Sequence, residues 1–263
     1  MAQIDNRYAL GGNTARTGVA VDEGLRAYML RVYNYMAAGI ALTGLVAYVI
    51  FTYSVTTDPT LAAQTGPTIL RPGIFLTSLG QTLFTTPLMY VLIFAPLAFV
   101  FFLAWRINTM SVSAAQIAFW LFAAVMGASL SSIFLRYTAT SITQVFFVTA
   151  AAFGALSIYG YTTKKDLSGW GSFLIMGVFG IIIAGIVNLF LQSGALQFAI
   201  SVIGVLVFAG LTAYDTQRIK DGYYQVMGDA TAATKGAIMG ALSLYLDFIN
   251  MFTSLLSLFG SRE

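Results

Sequence analysis

The chain has 263 residues, of which 58% are hydrophobic and only 9% are charged. Soluble domains carry about a quarter charged residues, so this chain has too few charges to cover the surface of a soluble globule. The composition therefore excludes soluble enzymes and nucleic-acid-binding proteins, although the sequence pI is about 9.1. It predicts an all-α integral membrane protein with several spanning helices.

Seven membrane spans are predicted from the distribution of the charges. Five long runs, residues 32–57, 72–105, 107–135, 137–163 and 167–214, contain no Asp, Glu, Lys or Arg. A span needs about 20 apolar residues, so the last run holds two spans, and a seventh follows it around Asp247. In chain order the predicted spans are Val32–Tyr53, Leu83–Trp105, Val112–Phe134, Ile142–Tyr161, Trp170–Leu191, Leu196–Gln217 and Gly236–Phe259. Residues 1–30 are predicted to form a polar cytoplasmic N-terminal tail, and residues 31–263 a seven-helix transmembrane domain.

The Lys and Arg residues predict the orientation. Ten of the 13 fall in the tail and in the loops after the second, fourth and sixth spans, whereas Arg71, Arg136 and Arg262 fall on the other side. The positive-inside rule then puts the N-terminus in the cytoplasm and the C-terminus outside. We expect a multi-pass protein of a bacterial inner membrane.

The chain contains neither cysteine nor histidine. This excludes disulfides, zinc–thiolate sites, thiol nucleophiles and Ser–His catalysis. Any metal would be held by oxygen, which favours hard cations such as calcium. Any pH response near neutrality would come from carboxylates, because the usual histidine switch is missing. We expect no enzymatic activity, no catalytic residues and no bound cofactor.

Asp247 lies in the middle of the seventh predicted span. A charge at the bilayer centre costs roughly 3 kcal/mol on insertion scales, so such residues are usually functional. At 100° per residue it belongs to a stripe of small and polar residues that covers about a third of the helix circumference. The same stripe is also typical of a packing seam between helices. Its members are Gly236, Gly240, Ser243, Asp247, Asn250, Ser254 and Ser257.

A second carboxylate, Asp215, lies at the end of the sixth predicted span. Alone it is typical of a helix-end charge paired with Arg218 or Lys220. The sixth and seventh spans are joined by a predicted loop of about 18 residues and should be antiparallel neighbours. Asp247 would lie about 17 Å deep, so contact between the two carboxylates needs an inward dip of the helix or a water-filled vestibule.

If the carboxylates meet, both cannot ionise cheaply and one proton is shared between them. The deprotonated pair would offer oxygen ligands to a passing calcium ion, so Asp215 and Asp247 are a candidate transient metal site. Arg106, which ends the second predicted span, is the candidate counter-charge, and it is equally typical of a membrane anchor beside Trp105.

Three segments resemble the Bax-inhibitor (transmembrane Bax-inhibitor-motif) family, in its bacterial type. They are Ala241–Asn250 with the Leu-rich end to Gly260, Tyr214-Asp215 followed by Arg218-Ile219-Lys220, and Ser157-x-Tyr159 followed by Thr163–Ser168. The resemblance covers roughly residues 25–260. It implies a seven-helix fold in which the seventh helix is central and wrapped by the other six.

The resemblance also implies a pH-sensitive calcium leak channel. By position, the pH sensor and gate would be Asp215, Asp247 and Arg106, and the candidate pore-lining residues are Ser243, Asn250, Ser254 and Ser257. Some members carry an acidic residue in the second helix and an arginine late in the seventh, as an outer ion pair. Here those positions are Ala95 and Ser257, so any outer gate differs.

Three other functions stay open from the sequence. The chain could be a non-conducting regulator that binds a membrane protease or cell-death factors. It could be a proton–cation exchanger. The two intramembrane aspartates also resemble those of presenilin-type aspartyl proteases, but Asp247 follows Leu-Tyr-Leu instead of Gly-x-Gly, and a Pro-Ala-Leu triplet is missing. The expected partners are the lipid bilayer, calcium ions and, for a regulator, other membrane proteins, without nucleic acid. The oligomeric state is left open.

Overall fold

The computed structural model describes residues 6–63, 69–71, 74–107 and 109–261, with side chains left out for residues 6–22 and 69–71. Eight α-helices lie in these residues. They are α1 (Asn6–Ser54), α2 (Ser78–Thr85), α3 (Leu88–Arg106), α4 (Val112–Leu130), α5 (Ala139–Thr162), α6 (Ser168–Leu191), α7 (Gly194–Val226) and α8 (Ala230–Phe259). A 3₁₀ turn, Ser131–Leu135, continues α4.

Seven of these helices are long and apolar enough to cross a membrane. They include all but α2, and in α1 the apolar stretch is Glu23–Ser54. Large apolar side chains are exposed on their outer faces, for example Phe173 and Phe190 of α6, where lipid tails would cover them. The chain is therefore a multi-pass integral membrane protein, as its composition predicts.

A short sheet caps the side of the molecule where α1 ends. Its strands are β1 (Val55–Thr56), β2 (Ile69–Arg71) and β3 (Ile74–Leu76), with β3 in the middle and antiparallel to both neighbours. The 3₁₀ turn Pro59–Leu61 follows β1, and its start is capped by the Asp58 side chain. No strand is predicted between the first two spans, because such short strands show no clear alternation of apolar and polar residues.

The protein core lies around α8, the most buried of the seven spans. This helix packs against α1, α4, α5 and α7. Tyr245, fully buried, contacts the rings of Phe119 and Phe122 and shares a 2.6 Å hydrogen bond with Thr43. The wrapping of α8 by all six other spans stays a prediction, since α3 packs chiefly on α4 and α6 on α7.

Most predicted helix limits agree with the structure to within a few residues, and three differ. The backbone of α1 is helical from Asn6 instead of about Val32, and Leu25 lies in the core although it falls in the segment predicted as tail. The second predicted span starts at Leu88, because the turn at Thr86-Pro87 separates it from α2. The predicted 18-residue loop before the last span is three residues long, Met227–Asp229, since α7 and α8 both extend beyond their apolar stretches.

Candidate functional site

The short turn between α7 and α8 determines how the two helices meet. Asp229 caps the start of α8 by accepting hydrogen bonds from the backbone N–H groups of Thr231 and Ala232. The helices then run antiparallel, with the Arg218 guanidinium donating to Ser243 Oγ at 3.2 Å. Three residues before Arg218 lies Asp215, and three after Ser243 lies Leu246. Antiparallel packing therefore puts Asp215 beside the turn of α8 that carries Asp247.

Asp215 is buried and paired. Only 6% of the residue is exposed, and its Oδ1 lies 3.2 Å from Arg218 Nη2. The Arg218 side chain is about half exposed, so it joins the buried carboxylate to the surface of the protein. The same guanidinium also binds Ser243 and lies over the ring of Tyr214. Arg218 is thus the cation that holds Asp215 in this structure.

Asp247 is buried, and one of its carboxylate oxygens has no hydrogen-bond partner. It is 4% exposed, and its Oδ2 has no hydrogen-bond partner. Its carboxyl group lines the same cavity as the Asp215 carboxylate and the Arg218 guanidinium, so the three groups form one charged cluster. An unpaired carboxylate oxygen in a protein interior is costly, which points to a bound proton, water or cation.

These residues line a cavity of about 580 Å³. Its walls come from α3, α4, α6, α7 and α8. One side is polar and carries the charged cluster, whereas the facing walls from α3 and α6 are apolar. The polar residues that line it are Ser129, Tyr214, Asp215, Arg218, Ser243, Asp247, Asn250 and Thr253. A polar strip of α8 thus faces an open space inside the membrane domain.

The structure brings most of the predicted site residues together. Asp215, Asp247, Ser243 and Asn250 line this one cavity. The sequence alone places Asp215 at a helix end and Asp247 deep in the membrane. The lengths of α7 and α8 explain how both can line one cavity. Both continue past their apolar stretches, so Asp215 lies 11 residues before the end of α7 and not at its end.

Three predicted site residues lie elsewhere. Arg106 is exposed at the end of α3, where its guanidinium lies 5.9 Å from the Trp105 ring centre. Ser257 Oγ is 3.5 Å from Gln197 Nε2 of α7. Ser254 packs where Gly204 lets α7 approach closely, since a Cβ on that glycine would lie 2.5 Å from Ser254 Oγ. In this part of α8, the helix α7 covers the polar stripe.

The two positions of the outer ion pair that the resemblance implies carry uncharged residues here. Ala95 is a partly buried residue of α3, and Ser257 faces Gln197 as just described. Among the described residues, no group of three or more Asp or Glu side chains comes close enough to hold a metal ion. The oxygen ligands of the cavity are therefore two carboxylates with hydroxyl and amide groups around them.

Two polar residues of the cavity lining, Arg218 and Thr253, are not among the predicted site residues. Arg218 was considered only as a helix-end partner of Asp215, although its spacing of three residues is the expected spacing for a helical ion pair. Thr253 was outside the polar stripe counted on α8. It lies three residues after Asn250, and the i to i+3 neighbour relation on a helix was the signal that could have found it.

Two aspartates outside the spans have different surroundings. Hydrogen bonds from the side chain and backbone N–H of Ser168 hold the pKa of Asp166 below its ordinary value. Hydrogen bonds from the backbone N–H and the hydroxyl of Thr60 do the same for the pKa of Asp58. Both carboxylates are therefore ionised throughout the neutral range, so neither can act as a pH sensor there.

Comparisons with known proteins give a consistent result. The family model described as inhibitor of apoptosis-promoting Bax1 matches residues 25–263. An uncharacterised protein of Caulobacter vibrioides is 45% identical over 263 residues, all of both chains. An uncharacterised protein of Rickettsia prowazekii is 46% identical over 242 residues, 92% of each chain. The inner membrane protein YbhL of Escherichia coli is 44% identical over 242 residues, 91% of this chain and 94% of YbhL.

Proposed function

This chain belongs to the Bax inhibitor family, and from that premise we propose that it is a pH-sensitive passive leak channel for cations, with calcium as the permeant ion. The observation that carries the proposal is the cluster of Asp215, Asp247 and Arg218 in a cavity within the spans. Buried carboxylates in a membrane domain are costly and typically mark ion or proton pathways.

The cavity lining favours a cation that passes through over one that is tightly bound. Calcium takes about six to eight oxygen ligands when it is tightly held. The two carboxylates, the Ser243 hydroxyl and the Asn250 amide supply six oxygens. Arg218 already binds Asp215 Oδ1 and Ser243 Oγ, so four of these oxygens stay available to an ion. An ion would therefore keep part of its water shell and would leave again, as conduction requires. Pro96 of α3 also lines the cavity. Because proline has no backbone N–H, the Leu92 carbonyl receives no helical hydrogen bond from this position.

The ion pair between Arg218 and Asp215 gives the proposed pH response its direction. When Asp215 is ionised, its carboxylate holds the guanidinium at the mouth of the cavity. When Asp215 takes up a proton, the Coulomb attraction is lost and the half-exposed arginine is free to turn towards water. Calcium flux should then rise as pH falls. In this proposal Arg218 is the counter-charge to the carboxylates, which is the role that the family resemblance assigns to Arg106.

Calcium flux into liposomes that contain the purified protein tests this proposal between pH 6 and pH 8. Asp215→Asn copies the protonated carboxyl, so its flux at pH 8 should exceed the wild-type flux at the same pH. Asp247→Asn removes the charge inside the cavity and should lower the flux and flatten its pH profile. Asp166→Asn is the matched control, because that carboxylate lies outside the spans. Unchanged flux and profile in both cavity variants would exclude the mechanism.

The same liposomes separate the other functions. A non-conducting regulator gives no flux at any pH in pure lipid. A proton–cation exchanger moves calcium only when a pH gradient is imposed and changes that gradient as it does so. An aspartyl protease cleaves a co-reconstituted transmembrane reporter, and either Asn substitution abolishes the cleavage. The proposed leak instead carries calcium down its own gradient at equal pH on both sides.

A further inference from the structure

A second large cavity lies on the opposite side of α8. It is a cleft of about 510 Å³ between α1 and α5, and Phe248 of α8 forms its floor. Its lining is almost entirely apolar. Exposed apolar side chains flank it on both helices, including Leu45 of α1 and Phe147 of α5. The cleft therefore opens sideways between two spans, towards the hydrocarbon of the membrane.

Small residues create the space. Gly44 of α1 and Gly154 of α5 both line the cleft, and a Cβ added at either would meet no atom within 4 Å. A smaller cavity of about 100 Å³ continues it along α1 as far as Ala47 and shares Gly44 and Phe248 with it. From Tyr33 to Ala47 the lining extends over 14 residues of helix, or about 21 Å. That length exceeds the roughly 15 Å of one leaflet's hydrocarbon.

One end of the cleft is polar. Ser157, 5% exposed, is a lining residue near the end of α5, and its Oγ has no hydrogen-bond partner. Tyr33 of α1 lines the same end. Ser157 lies five residues, or about 7 Å, before the end of α5, and we expect the ester groups of a phospholipid near this level. A buried hydroxyl without a partner costs free energy, and an ester carbonyl could accept its proton.

Basic residues lie beyond this end. Arg26 precedes Tyr33 by two helical turns and is on the same face of α1, and Lys164 follows α5 by two residues. Both side chains are exposed. Lys165 and Arg31 lie at the same end, and these four basic residues outnumber the three acidic residues nearby in the sequence, which are Asp22, Glu23 and Asp166. Basic side chains at this depth attract anionic head groups, by about 1 kcal/mol each.

We propose that the cleft binds one acyl chain of an anionic phospholipid, whose head group lies against Arg26 and Lys164. An apolar cavity of this size does not hold water, and lipid tails are the molecules that surround it. The unpartnered Ser157 hydroxyl and the basic residues then select the head-group end. This inference does not depend on the leak activity, since the cleft lies on the far side of α8 from the two aspartates.

Native mass spectrometry of the full-length protein tests the chain-binding part. The protein is mixed with phosphatidylglycerol or phosphatidylcholine of identical acyl chains, and the retained lipid is counted after mild activation. Wild-type protein should keep one phosphatidylglycerol molecule. Gly154→Leu and Gly44→Leu fill the cleft from opposite walls, and each should retain at least fivefold less. Gly180→Leu is the matched control, because that exposed glycine of α6 also has open space around it but lies outside the cleft.

Separate variants test the recognition of the anionic head group. Arg26→Gln and Lys164→Gln should each weaken phosphatidylglycerol retention about fivefold and leave phosphatidylcholine unaffected. Arg136→Gln, an exposed arginine at the other end of α5, should change neither. Retention of phosphatidylglycerol by both filled-cleft variants would overturn the proposal. Equal retention of the two lipids by wild-type protein would overturn it as well, since the basic residues would then select nothing.

Discussion

Asp247 and Phe248 are neighbours in the sequence, and they line two different cavities. Asp247 faces the cavity of about 580 Å³ that also holds Asp215 and Arg218. Phe248 forms the floor of the cleft of about 510 Å³ between α1 and α5. The two spaces have almost the same size and lie on opposite sides of one helix. They differ in the chemical groups that their walls present to a bound ion or molecule.

The difference shows that volume alone does not assign a function inside a membrane. Carboxylates, hydroxyls and an amide on one side of α8 can replace part of an ion's water shell. Aromatic rings, alanines and glycines on the other side can only pack against hydrocarbon. One helix thus separates a cavity with charged and polar walls, which we propose for ions, from an apolar cleft, which we propose for a lipid chain. The predictions below are ordered from the largest expected effect to the smallest.

The largest effect is expected where α5 packs tightly on α7. A Cβ at Gly160 would lie 2.2 Å from the backbone oxygen of Ala213, two residues from Asp215, whereas a Cβ at Gly154 would meet nothing within 4 Å. Gly160→Ala should destabilise the protein by about 1–3 kcal/mol because the helices must move apart. Gly154→Ala should change stability little. Thermal unfolding in detergent measures both, and equal stability of the pair would contradict the packing described here.

The next effect separates the two arginines. Arg218→Gln removes the partner of Asp215, which should raise calcium flux at pH 8 about fivefold, the equivalent of about 1 kcal/mol for a half-exposed ion pair. Arg106→Gln should leave flux unchanged, since that side chain stacks on Trp105 outside the cavity. Liposome flux at pH 8 measures both variants. The opposite order of effects would return the role to Arg106.

A smaller effect is expected in the protein core around α8. Tyr245→Phe removes the hydrogen bond to Thr43 and keeps the contacts with Phe119 and Phe122. Thr43 retains its hydrogen bond to the Ala123 carbonyl, so the cost should be only about 0.6–1.5 kcal/mol. Thermal unfolding in detergent should show this loss, while Tyr159→Phe, at an exposed tyrosine, should not. A loss of 3 kcal/mol or more would mean that the hydroxyl supports more than one bond.

The smallest effect concerns pH and the exposed aspartates. Hydrogen bonds lower the pKa of Asp166 and Asp58 in the folded protein, so any stability they add is complete above the ordinary aspartate pKa of about 3.9. It is lost only as pH falls through their lowered values. Asp166→Asn and Asp58→Asn should therefore leave the flux profile between pH 6 and pH 8 as it is. A changed profile in either would place a pH sensor outside the cavity.

Much of the fold could be predicted because membrane spans depend on composition. The charge-free runs predict six spans and the apolar stretch around Asp247 a seventh, and the predicted helix limits Val112, Leu191 and Phe259 are those of the structure. The continuation of α7 to Val226 and the short β-sheet were missed. The first is a polar helix stabilised by its neighbour, and the second depends on pairing between distant residues, so neither shows in local hydropathy.

The candidate site was predicted in its residues and only partly in its geometry. A buried charge is visible in a sequence, which is why Asp247 was found. Which residue it meets depends on helix length and crossing. The polar stripe indicated one face of α8, but Ser254 and Ser257 are covered by α7 where Gly204 permits close approach. Periodicity gives the face of a helix and does not give the neighbour that covers it.

The most direct test of the central claim uses the absence of cysteine from the chain. Asn250→Cys places a lone thiol in the ion cavity, and Ala150→Cys places one in the lipid cleft. A positively charged methanethiosulfonate reagent reacts with thiolates, which form where water enters. We predict that it modifies Asn250→Cys and blocks calcium flux in liposomes, and leaves Ala150→Cys unmodified and conducting. Modification of Ala150→Cys with an unreactive Asn250→Cys, or full flux after modification of Asn250→Cys, would contradict the account.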